Sequence, residues 1–119
     1  MKYMLLIHED EQAFQGLTEA ERQAIYAEYR KFSEEITASG HYIGGSELQP
    51  TATATTVRLR DGKRLVTDGP FAETREQLGG YYLVEARNLD DAIALAARIP
   101  SARTGTIEVR PLAPSMAPV

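Results

Sequence analysis

The sequence predicts an α+β domain in which one helix follows the first strand and a second precedes the last. Three observations predict it. Apolar residues recur with strand periodicity in several short runs and with helical periodicity in two others. An Asp-Gly pair at 61–62 separates two segments of equal length, the sequence form of a β-hairpin. The 119 residues are 43% hydrophobic and 25% charged, which suits a single globular core.

The first strand is Tyr3-Met4-Leu5-Leu6-Ile7, apolar on both faces and therefore central in its sheet. His8-Glu9-Asp10-Glu11 ends it with charge, and a loop is expected through Gly16. Thr18 and Glu21 stand three apart, the spacing of a capping box. Beyond it Ile25, Tyr29, Phe32 and Ile36 fall on one helical face, and Gly40 is a natural stop. A second strand is expected from about His41 to Glu47, weakened or bulged by Gly44-Gly45. Pro50–Thr56 begins as loop and becomes strand.

The hairpin spans Thr55–Arg60 and Lys63–Asp68 about a type I′ turn. That turn places Arg60 opposite Lys63, Val57 opposite Val66 and Thr55 opposite Asp68. Side-chain alternation then gives Val57, Leu59, Val66 and Asp68 one face, with Arg64 at the hairpin tip, and Arg58, Arg60 and Lys63 the other. Tyr81-Tyr82-Leu83-Val84, within Gln77–Ala86, reads as another central strand. Asn88 caps a second helix whose packing stripe is expected to be Leu89, Ile93, Ala96 and Ala97, closed by Pro100. Thr106–Arg110 alternates as a half-buried strand. One domain over 1–112 and a flexible tail over 113–119 are expected. With the hairpin set aside, the order βαββαβ is that of ferredoxin-like folds, whose helices cover one sheet face and leave the other to a partner or pocket.

Composition removes several function classes. The formal net charge is −4, against a nucleic-acid phosphate binder. There is no cysteine, hence no disulfide framework, thiolate metal site or cysteine nucleophile. Apolar runs such as Tyr3–Ile7 fall far short of the ~20 residues of a membrane span. A cytoplasmic protein is expected. His8, Glu9 and Asp10 make a poor metal set because neighbouring strand residues point to opposite faces, so no metal or cofactor is expected.

Asp68-Gly69-Pro70-Phe71-Ala72-Glu73-Thr74-Arg75-Glu76-Gln77-Leu78-Gly79-Gly80-Tyr81-Tyr82-Leu83 resembles the signature of the DGPF proteins, a branch of the YCII-related superfamily. The resemblance extends to Met1–Ile7, Leu48-Gln49-Pro50, Thr53–Arg58 and Thr106–Pro111, nearly the whole chain. It implies a dimeric α/β barrel of ferredoxin-like protomers, and hence a homodimer. It also implies genes often found beside extracytoplasmic-function sigma factors. In the wider superfamily a histidine–aspartate pair marks a cleft, and one branch removes chloride from a chlorinated hydroquinone. The histidine of that pair lies on the first helix, where this chain has none between Thr18 and Ser39. Tyr26 and Tyr29 are the polar aromatics there, and Asp68 alone is carried over.

The residues leave alternatives open. Asp68, on the more apolar hairpin face, is either a desolvated general base or an Asx-turn cap for the chain entering Gly69-Pro70. His8 ends a central strand, where it serves acid–base chemistry or is simply a polar strand end. His41 suits a helix C-terminus. Glu73 to Gln77 is a source of pocket hydrogen bonds or a solvated connection. Arg58, Arg60, Lys63 and Arg64 form a solvated basic face or a surface for a protein partner. The leading expectation is a small-molecule pocket with Asp68 and His8 as candidate catalytic groups, lined by Tyr29, Phe71, Glu73, Gln77, Tyr81 and Tyr82. The alternative is a non-enzymatic regulatory module acting with a sigma factor.

Overall fold

The four strands β1 (Lys2–Glu9), β2 (Tyr42–Glu47), β5 (Gln77–Glu85) and β6 (Thr106–Pro111) form one antiparallel sheet in the order β2-β5-β1-β6. Between β2 and β5 the chain inserts β3 (Thr55–Arg60) and β4 (Lys63–Asp68), a hairpin that forms a sheet of its own. With the hairpin set aside, the strand order is that of a ferredoxin-like α+β fold. The computed structural model describes residues 1–114. Of the tail expected over 113–119, residues 115–119 lie outside the described residues.

Three helices accompany the sheet: α1 (Glu11–Gln15), α2 (Glu19–Ala38) and α3 (Leu89–Ala97). The α2 capping box closes in both directions. Glu21 N–H donates to Thr18 Oγ1 at 3.1 Å, and Thr18 N–H donates to Glu21 Oε1 at 2.9 Å. At its other end Gly40 takes φ of 81°, a left-handed stop that lets His41 N–H reach the Ile36 carbonyl. Phe32 and Ile36 of the expected stripe are buried. They pack with Tyr3, Leu5 and Ile7 of β1 and Tyr82 and Val84 of β5. Asn88 caps α3 by accepting from Asp91 N–H at 2.9 Å.

Three details depart from the sequence reading. The expected loop through Gly16 contains α1, because Asp10 Oδ1 accepts from Gln12 and Ala13 and nucleates a single turn too short to show a period. In α3 the buried residues are Ala92, Leu95 and Ala96, whereas Leu89 and Ile93 are about half exposed. Residues 92–97 are apolar throughout, so periodicity does not choose a face there. Single 3₁₀ turns also occur at Thr51–Thr53 and Pro100–Arg103.

The expected bulge at the paired glycines is present as a register shift between Tyr42 and Gly44. The hairpin register is the one its turn dictates, Arg60 facing Lys63 and Thr55 facing Asp68. Asp61 and Gly62 both hold positive φ, 51° and 74°. Gly105 fits the turn into β6 against β1: a Cβ there would stand 2.2 Å from the His8 carbonyl oxygen. Among the described residues no helix is long and apolar enough to cross a membrane.

Candidate functional site

The two halves of the α2 stripe have different fates. Phe32 and Ile36 are sealed in the core, but Ile25 and Tyr29 stay half-buried and overhang one end of the sheet. A cleft of about 610 Å³ opens beneath them. Its helical wall is Arg22, Ile25, Tyr26, Tyr29 and Ser33, residues three or four apart or multiples of that, and so on one face. Glu11, Phe14 and Gln15 of α1 close a second side. The first strand supplies Ile7 and Glu9, and Glu47, Leu48 and Pro50 form the rim.

The floor is made by glycines. Gly45 of β2 and Gly79 and Gly80 of β5 line the cleft. The fit is close: a Cβ on Gly45 would lie 2.7 Å from the Tyr81 carbonyl oxygen, and one on Gly80 3.0 Å from that of Ser46. Side chains at Gly45 and Gly80 would crowd the neighbouring strand.

Aromatic rings and hydroxyls dominate the interior. Phe14 and Tyr26 meet edge to face at 6.1 Å, as do Tyr42 and Tyr82 at 6.2 Å. Ser33 and Tyr82 hydroxyls are 2.7 Å apart, and Tyr29 OH is hydrogen-bonded to Ser101 Oγ. Tyr26 OH donates to Glu47 Oε1 at 2.9 Å. Burial pushes the Tyr29 phenol up to about 12, against the lowering effect of Ser101. Burial also raises Tyr82, and it raises Tyr26 with help from the Glu47 hydrogen bond. These phenols are therefore protonated at neutral pH and act as hydrogen-bonding groups rather than bases.

Charge in the cleft is mainly negative. Glu9, Glu11 and Glu47 face one cation, Arg22, whose guanidinium donates to the Leu17 carbonyl at 2.6 Å. Glu11 is fixed by two bonds from Thr51, N–H to Oε1 and hydroxyl to Oε2, each 2.8 Å. Glu9 Oε1 accepts from the Thr104 hydroxyl at 2.8 Å. Gln77 Oε1 accepts from Glu11 N–H at 2.9 Å and thereby joins β5 to α1. Among the described residues no group of three or more His, Asp and Glu is placed to hold a metal.

Of the residues singled out from the sequence, the fold brings Tyr29, Gln77, Tyr81 and Tyr82 to this cleft. It leaves Asp68, His8, Phe71 and Glu73 outside its lining. Asp68 has the hairpin register expected for it, opposite Thr55, but within the protomer it does not line the cleft. Asp68 is exposed in the separate hairpin sheet, and among the described residues its carboxylate accepts no hydrogen bond, so it is not a turn cap either. Alternation assigned it a face, and among the described residues that face is exposed. Phe71, expected beside the pocket, is 79% exposed, and Glu73 is exposed as well. His8 belongs to the other side of the sheet, paired in register with Leu78 and Thr106. Its Nε2 is shielded from solvent, lacks a hydrogen bond and lies 3.7 Å from Glu108 Oε1.

Sequence reasoning missed the α1 wall, Ser33 and the role of the glycines. The signal for the last was available: Gly44-Gly45 and Gly79-Gly80 occur in two strands that pair with each other.

Two comparisons bear on the chain. The family model described as the YCII-related domain matches residues 1–115. An uncharacterised protein of Rhizobium meliloti (strain 1021) is 36% identical over 115 residues, covering 95% of this chain and 93% of the relative.

Proposed function

The chain belongs to the YCII-related family, and on that footing we propose that it binds a small organic molecule in the cleft between its sheet and helices α1 and α2. The observation that carries this reading is the combination of volume and lining. About 610 Å³ of space is walled by aromatic rings and ringed by fixed hydrogen-bonding groups, within the range of small-molecule sites. Three carboxylates against one guanidinium favour a ligand with an apolar or aromatic body and a positively charged or hydrogen-bond-donating head.

The test is thermal unfolding with three matched probes: 2-phenylethylamine, 2-phenylethanol and 3-phenylpropionate. A ligand that binds only the folded state raises the melting temperature. The amine is expected to raise it most and the carboxylate least. Ile25→Trp, which narrows the cleft from α2, should abolish the shift while leaving the far-UV circular dichroism unchanged. No shift with any probe at millimolar concentration would count against the cleft as a site for such molecules. A larger shift with the carboxylate would reverse the charge preference alone.

We also propose that the protein is a homodimer joined through the helix-free face of its sheet. Strand alternation puts Met4, Leu6 and Leu83 on that face, and all three are only half-buried in the protomer. Sedimentation velocity across micromolar concentrations tests it, with a sharp monomer at every concentration as the contrary result.

A further inference from the structure

We infer that the β3–β4 hairpin is an arm whose apolar face docks on a second copy of this chain. The inference rests on the homodimer proposed above and adds to it which segment crosses between protomers.

Among the described residues the hairpin has no strand partner outside itself. Its two strands pair with each other and with no strand of the main sheet. Val57, Leu59 and Val66 share one face with Arg64 and Asp68 and are 61%, 67% and 58% exposed. An isolated two-stranded hairpin is at best marginally stable in water, so an ordered one with a bare apolar face needs a cover.

The exposed surface leaves room for such a cover. The chain exposes 8682 Å², whereas a folded monomer of its mass exposes roughly 6,400 Å². The excess is more than the ~800 Å² per partner that a stable protein interface buries. Its radius of gyration is 16.3 Å, against about 13.5 Å for a compact domain of this length.

Charge selects the partner. The hairpin carries Arg58, Arg60, Lys63 and Arg64 against Asp61 and Asp68, while the chain as a whole has a formal charge of −4. Among the described residues none of those four cations forms an ion pair. A basic arm on an acidic body is complementary to a second copy of itself, and a two-fold axis lets each arm cover the other protomer at once.

The chain has no cysteine, so a single introduced thiol reports on one position. Val66→Cys probes the apolar face of the arm, and Glu34→Cys on the exposed side of α2 serves as the control. Each is reacted with a thiol-specific chromogenic disulfide above and below the dimer dissociation constant found by sedimentation. Val66→Cys should react at least tenfold more slowly in the dimer than in the dilute monomer, and Glu34→Cys at one rate throughout. The double variant Val57→Asp/Val66→Asp should sediment as a monomer with unchanged circular dichroism. A dimer in which the Val66→Cys thiol is as reactive as the Glu34→Cys thiol would overturn the arm and leave the dimer standing. A wild-type chain that stays monomeric at every concentration would overturn both. Should the double variant fail to fold, the thiol rates still decide.

Discussion

Tyr29 shows how one hydroxyl is tuned by position. It sits on α2 at the junction of core and cleft, bonded to Ser101, and burial pushes its pKa up to about 12. An unfolded chain releases that proton near pH 10. The folded state holds the proton longer, so its contribution to stability is complete below about pH 10 and is lost as pH rises through about 12. Tyr29→Phe should therefore flatten the fall in folding free energy between pH 10 and pH 12, measured by urea denaturation at several pH values. Tyr29 was reachable from the sequence through its helical spacing. The register of Asp68 opposite Thr55 was legible but its distance from the cleft was not, because alternation tells which residues share a face and is silent on what lies against it.

At the level of elements, the strongest local signals governed what was legible. The Thr18–Glu21 spacing and the Asp61-Gly62 turn each specify backbone geometry through a few atoms, and both are present as read. Thr18→Ala removes one arm of the reciprocal cap and should cost about 1 kcal/mol. The expected signature is a lower denaturant midpoint with an unchanged slope. The α1 turn was not legible because five residues contain too little periodicity, although Asp10 followed by Glu11 and closed by Gly16 carried a capping signal. The cleft was only partly legible for a related reason. It depends on how far α2 projects beyond the sheet and on glycines in two strands that pair with each other, both relations between distant segments.

The whole molecule is a sheet with helices on one face, an uncovered face opposite and a projecting hairpin. The fold class followed from the order of periodicities, since few topologies accommodate βαββαβ with short connections. In the proposed homodimer, the remaining surface is used by a second molecule. If protomers stabilise one another, unfolding is linked to association, and the melting temperature should rise with protein concentration. Differential scanning calorimetry over a hundredfold range of concentration measures this, and a constant midpoint would be the contrary result.

The neighbouring first and last strands have a mechanical consequence. Tyr3 of β1 lies opposite Pro111 of β6, and Leu112 N–H donates to the Lys2 carbonyl, so the two ends of the chain leave the sheet at the same end of one antiparallel pair. Hydrogen bonds in such a pair lie across the strands. Tension applied through the ends would load the outermost bond first and part the pair rung by rung, as a zip opens. The same sheet pulled along its strands would have to break those bonds together. A domain wired this way yields readily to a machine that grips its ends, and its resistance to heat says little about its resistance to force.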